Sequence, residues 1–393
     1  MTTKTRLSVL LISTPVLAFV VLGGLLGRAS TGDDKLQHLR VFEDVVSLIM
    51  NNYVEEVKVD RVMDGAMRGL ADGLDPDSAY LDAKLVKVAE AGGTATGAPG
   101  DVGVELTRQY YLRVIAARDG SPAAKAGLQT GDYVRAIDGK PTRDLSVFEG
   151  MRMLRGAPGS KVTLTVIRGN AAEPHQIELV REKTPTTALV AGRLIGTDVG
   201  YIRVGSFVGD VASRLRSQAQ ELEKNGATHL VIDLRRAAEG PLDNGLDAAR
   251  LFVKSGTLAL KAGRDEKGAR EPISAREGDG AIALPVTLLV TTGTSGAAEL
   301  FAAALDGNTR ADLVGERTLG RAGVQKLVRL PDGRGLWLTY ARYLTPDGRT
   351  IQGKGLNPDL AVDEPEAVEI GEAAPAGDPV LDAALQRIHK AAA

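Results

Sequence analysis

A chain of 393 residues with 44% hydrophobic and 25% charged residues has ordinary globular composition and is too long for one core, so two or three domains are expected. Its 48 basic and 50 acidic side chains leave a net charge of −2, which provides neither a nucleic-acid footprint nor a polybasic membrane patch. The lack of cysteine excludes disulfides, thiolate nucleophiles and thiolate metal sites, while an oxidising compartment stays permitted.

Lys4 and Arg6 precede an uncharged run of 20 residues, Leu7 to Leu26. That is about the length needed to cross about 30 Å of hydrocarbon. The run is followed by GRAST rather than an A-x-A-like cleavage site, so residues 1–28 read as an uncleaved anchor in preference to a cleaved signal. The flanking positive charges place the N-terminus inside and the body outside, on the periplasmic face of a single-pass protein. Residues 29–96 then read as a helical region. Val41, Val45, Leu48, Ile49 and Tyr53 recur at helical spacing, and a second stripe runs from Val59 to Leu70 with Gly73 as its cap. LDPDSAYLD supplies an Asp-Pro turn, a short helix ends near Glu90, and AGGTATGAPG (91–100) reads as a hinge.

From Asp101 the pattern turns to short strands. DVGVEL and YYLRVIAA precede SPAAKAGL, where Ser121 is suited to cap a helix, Pro122 to open it and Gly127 to end it. A strand closed by Asp138-Gly139, a second helix in SVFEGMRMLRG and the alternating KVTLTVIRG follow. Over residues 97–170 the chain resembles a PDZ domain. The resemblance implies that the amides of Val102, Gly103 and Val104 receive a peptide's terminal carboxylate, with the peptide lying between Val102 to Leu106 and the helix carrying Met151 and Leu154.

Residues 184–366 alternate strands and helices: VGYIRVG, VASRLRSQAQELEKNG, THLVIDL, LDNGLDAARLFV, PVTLLVT and AAELFAAAL. That order predicts a mostly parallel sheet with a site at the carboxyl ends of its strands, between the turns RRAAEG and TTGTSGA. Residues 367–393 form a tail and terminal helix. The passages RGLADGLDPDSAYLD, VGYIRVGSF, THLVIDLRR, VGERTLGRAGVQ, LTYARYLTPDGRTIQGKGLNPDL and DPVLDAALQRI resemble the carboxyl-terminal processing, or tail-specific, peptidases from about Val41 onward. The fold expected is thus multidomain α+β: membrane helix, helical region, a β-rich PDZ domain with two helices, and an α/β peptidase-like core.

The resemblance implies a serine and lysine dyad assisted by glutamine. Counting from Glu299, the serine position is occupied by Gly296; counting from Gln325, which matches the family glutamine, the lysine position is occupied by Arg321. Glu239 and Ala297 fall at the oxyanion-hole positions, with Glu239 in place of a glycine. Glycine forms no acyl-enzyme, and arginine, with a pKa above about 12, cannot act as base. Ser295 is the substitute nucleophile of an alternative, active reading, but the only histidine after it is His389, and Ser295 suits a helix cap. His38, His175 and His229 share no metal-ligand spacing, and no cofactor is expected. Thr339, Tyr340 and Arg342 read as structural members of an alternating strand. The expectation is an inactive homologue that binds protein C-terminal tails, or an active relative, through its PDZ domain; a groove that binds nothing is a third reading, and a homo-oligomer is left open.

Overall fold

A computed structural model describes residues 37–92, 100–169, 173–264, 270–365, 370 and 376–392. The expected membrane span and most of the expected hinge lie outside them. Among the described residues no helix is long and apolar enough to cross a membrane.

The chain divides into a unit ending at Leu70 and a second from Ala71 to Ala393. The first carries helix 37–52 and the start of helix Val59–Asp72, both at the predicted places. Val41, Val45, Leu48, Ile49 and Tyr53 are exposed.

In the second unit, Asp82 caps helix Ala83–Glu90 by accepting from the N–H groups of Lys84 and Leu85. The PDZ segment is built as its turn chemistry dictates. Ser121 caps helix Pro122–Lys125, Ser146 and Glu149 form a capping box on helix Val147–Leu154, and Asp138 and Gly139 both take the positive φ of a tight hairpin turn. Its sheet runs Val104–Gln109, Tyr111–Ala117, Tyr133–Ile137, Lys161–Ile167, His175–Val180, all antiparallel. The last strand was not anticipated.

The core holds two sheets, where a single, mostly parallel one was expected. In the first, Val190–Ile195 pairs antiparallel with Val199–Val204, and His229–Asp233, Val286–Val290, Ala311–Gly315 and Leu360–Ala361 continue in parallel. Alternation decides its faces. Ile202, Leu230, Ile232, Leu288 and Val290 pack with helices Val211–Lys224, Leu242–Ala249 and Ala297–Gly307, while Val199, Val231, Leu289 and Val314 pack with Val380, Ala384 and Ile388 of helix Pro379–Ala392. The second sheet is antiparallel throughout: Ala79–Leu81, Gly335–Leu344, Thr257–Ala262 and Glu271–Ser274, with Gly323–Arg329 also on Gly335–Leu344. It corrects the expectation because its strands lie far apart in sequence and carry polar residues that do not read as a buried run.

Candidate functional site

The strand Val286–Val290 ends in TTGTSG, a turn held by the Thr294 hydroxyl and the Ser295 N–H. Thr294 Oγ1 donates to Leu234 O at 3.0 Å and the Ser295 N–H to Ala237 O at 3.1 Å, which joins this turn to RRAAEG as expected. Gly296, the first residue of the helix turn, has φ 64° and ψ −119°, a conformation that costs a side-chain-bearing residue strain. A Cβ built there would meet nothing closer than Ala238 O and Leu242 Cδ2, both at 3.8 Å, so this strand-to-helix turn has room for a small side chain.

Glu299 holds this turn against the loop carrying Arg321. Fully buried, it accepts the Gly296 N–H at 3.2 Å, the Arg321 N–H at 2.7 Å, the Gly320 N–H at 2.6 Å and the Thr318 hydroxyl. Burial pushes its carboxyl up, against the pull of these donors. Gly320 takes φ +90°, and a Cβ on it would fall 2.6 Å from the Gly355 nitrogen, so the loop needs glycine there.

Arg321 does not point into empty space. Its Nη2 lies 2.9 Å from Asp77 Oδ1 and its Nη1 3.6 Å from Glu105 Oε2. Burial works against its charge, but Asp77 and Glu105 outweigh it and hold the guanidinium above its usual range. Gln325 Nε2 donates to Thr339 Oγ1 at 3.2 Å. Gly296, Arg321, Gln325 and Ala238 line one cleft of about 810 Å³ with Glu105, Lys261 and the rings of Trp337, Tyr340 and Tyr343. Tyr340, read from sequence as structural, is a cleft residue.

Two candidates behave differently from expectation. Ser295 is fully buried and its Oγ has no partner among the described residues, so it neither lines the cleft nor caps the helix, whose cap is Gly296. The cause is the one-residue step along a tight turn, which aims its side chain into the core. Glu239 does not face Gly296: its Oε2 accepts from Arg118 Nη1 at 2.8 Å, and it lines the PDZ groove while Ala238 and Gly240 line the cleft. Ala297, expected at an oxyanion-hole position, is buried at the helix start.

Val102, Gly103, Val104, Met151 and Leu154 come together in one groove. Gly103 takes φ +74°, and Ser121 leaves no room for a Cβ on it. Sequence reasoning missed Asp77, Glu105, Arg118, Lys261, Trp337 and Tyr343. Asp77 stands in the Asp-Pro turn and Glu105 in DVGVEL, but neither motif marks the partner its side chain meets; each reaches the site through pairing of distant segments.

Residues 198–362 match the model of Peptidase family S41, residues 113–168 a PDZ domain, and residues 25–85 the activating protease CtpB N-terminal domain. The carboxy-terminal-processing protease of Bartonella bacilliformis is 31% identical over 334 residues, 84% of this chain and 76% of that protein. The carboxyl-terminal-processing protease of Synechocystis is 35% identical over 278 residues, 69% of this chain and 64% of that protein. Among solved structures, a photosystem II D1 C-terminal processing protease superposes with a TM-score of 0.67 at 29% identity, covering 80% of this chain and 85% of its own. With a PDZ segment, an S41 peptidase fold and this likeness along most of its length, the chain belongs to the carboxy-terminal processing protease family.

Proposed function

We propose that this chain is a membrane-anchored, extracytoplasmic member of its family that has lost peptidase chemistry and binds protein C-terminal tails, or an active relative, through its PDZ groove. The observation that carries the reading is the vacant elbow: Gly296 keeps the strained turn with space above it and offers no oxygen, and Arg321 faces it already paired with Asp77 and Glu105. Loss of a catalytic serine alone typically costs on the order of a millionfold in rate. The buried Ser295 supports no rescue. The anchor rests on the uncharged run from Leu7 to Leu26, and self-association on the exposed apolar stripe of helix 37–52.

Incubation of the purified chain with an unfolded protein substrate and with a serine-directed fluorophosphonate tests the chemistry. No cleavage and no label are expected; a labelled Ser295 with cleavage overturns inactivity. Peptides with free and amidated C-termini test capture: binding of the free form alone is expected, and equal affinity for both overturns it.

A further inference from the structure

The tail groove is bordered from both domains. On the PDZ side stand the Val102–Val104 loop and the helix bearing Met151 and Leu154; on the core side stand Gly205, Ala238 and Glu239. Between them the groove is narrow, its water-accessible space about 20 Å³, room for about one water. At the centre of this closure is an ion pair. Arg118 lies against the carboxylate-binding loop: its N–H donates to Gly103 O at 2.7 Å, and a Cβ on Gly103 would stand 3.2 Å from its Nη2. Its Nη2 holds Asp101 Oδ1 at 2.7 Å and its Nη1 holds Glu239 Oε2 at 2.8 Å. The Arg118 side chain is 10% exposed and that of Glu239 21%, so water screens the pair only in part.

We propose that Glu239 is a built-in competitor for the terminal carboxylate of a tail, occupying Arg118 until the tail displaces it. This rests on the tail-capture reading above and names what regulates the site. A second carboxylate arriving beside a paired Glu239 meets a like charge in a nearly closed pocket, so capture requires that Glu239 let go of Arg118. Glu239 stands where the family resemblance places a glycine, so this competition comes with the same set of replacements that empties the elbow. The other charged replacement acts on the same domain, since Arg321 reaches Glu105 on the strand Val104–Gln109 to which a tail would add. The two charges therefore clamp the PDZ domain over the vacant cleft. Ala238, the next residue back along the RRAAEG loop, brings its carbonyl to the border of Gly296, so the competing pair stands one residue from the cleft.

The test measures anisotropy of a fluorescein-labelled peptide with small apolar C-terminal residues and a free carboxyl end, and of its amidated twin, on full-length wild type, Glu239→Gln and Glu239→Gly. Binding of the free-carboxylate peptide about tenfold tighter to both variants than to wild type, with the amidated twin unimproved, is the expected result and corresponds to loss of one competing ion pair. Equal affinity of wild type and variants overturns the competitor while leaving tail capture standing. No binding to any of the three, with all three folded by their thermal transitions, overturns tail capture itself. The glycine variant guards against a new hydrogen bond from the glutamine amide.

Discussion

At Gly296 the physical question is what a side chain would cost and what it would gain. The nearest non-neighbouring atoms to a Cβ stand at 3.8 Å, so Gly296→Ser fits, while φ 64° imposes strain on the order of 1–3 kcal/mol. The variant is expected to fold with a lowered melting temperature and to take no fluorophosphonate label. Adding Arg321→Lys is not expected to suffice, because a lysine facing Asp77 and Glu105 inherits both carboxylates and keeps its proton. Adding Asp77→Asn and Glu105→Gln as well frees that amine, and labelling in the combined variant but not in the pair is the expected outcome; strong labelling of the pair alone would refute the electrostatic argument. Glu105 also gives a pH signature. Burial pushes its carboxyl from 4.5 up to about 7, with Arg321 pulling it down and Glu239 adding to the rise. The folded value exceeds the unfolded one, so the folded chain holds a proton that the unfolded chain releases. Its contribution is full below 4.5, falls as pH rises, and is gone above about 7. After solvent screening at a side chain 22% exposed, the change is on the order of 1–2 kcal/mol. Urea midpoints across that window should fall for wild type and stay flat, as far as this group goes, for Glu105→Gln.

The elements around the site were legible wherever local chemistry specifies them. The strand, turn and helix from Val286 to Gly307 could be read because a buried β-branched run, a small-residue turn and a run of helix formers each state their preference within a few residues. The same holds for the PDZ helices: Ser121 caps the first as read, and the second forms in SVFEGMRMLRG as read, with Ser146 as its cap. What could not be read is long-range pairing: the antiparallel sheet brings Ala79–Leu81 against Gly335–Trp337, and the ion pairs Arg321–Asp77 and Arg118–Glu239 join segments whose separation leaves no local periodicity to read. Ser295 and Glu239 show the limit at finer grain: both stand in the turns read from the sequence, and it is the folded chain that turns their side chains away from the cleft. Glu299 marks where both kinds of information meet, being recognisable three residues after the turn yet acting on a loop 19 to 22 residues further on. Glu299→Ala strands three backbone N–H groups and one buried hydroxyl, so a loss of about 3–5 kcal/mol in urea unfolding is expected. A loss below about 1 kcal/mol would show that the loop is held by other means.

Across the whole second unit, the terminal helix closes the sheet face that the other helices leave open. Val380, Ala384 and Ile388 cover Val199, Val231, Leu289 and Val314, and each buried aliphatic side chain of this kind contributes roughly 1.5–3 kcal/mol. The helix is aligned by Asp378, whose two oxygens take Arg235 Nη1 at 2.8 Å and Nη2 at 2.7 Å, and whose Oδ1 also accepts the Leu381 N–H at 3.0 Å. Arg235 in turn holds Asp233, which accepts the Tyr201 hydroxyl at 2.7 Å, so one guanidinium at the carboxyl end of a central strand fastens the last helix and opens the RRAAEG loop. Burial alone would raise the Asp378 pKa, but Arg235 and the Leu381 N–H outweigh it and hold the carboxyl below its usual 3.8. The folded value is the lower one, so this contribution is present above 3.8 and is lost as pH falls through the folded value. Asp378→Ala leaves Arg235 with Asp233 but removes the bidentate pair, and a loss of about 2–3 kcal/mol at neutral pH is expected. Amide exchange should speed up in His229–Asp233 and Val286–Val290, the strands beneath the helix, and the acid limb of the stability curve should flatten relative to wild type. Unchanged exchange in those strands would mean that apolar contact alone seats the helix, and that the charge cluster at Arg235 serves the loop rather than the tail.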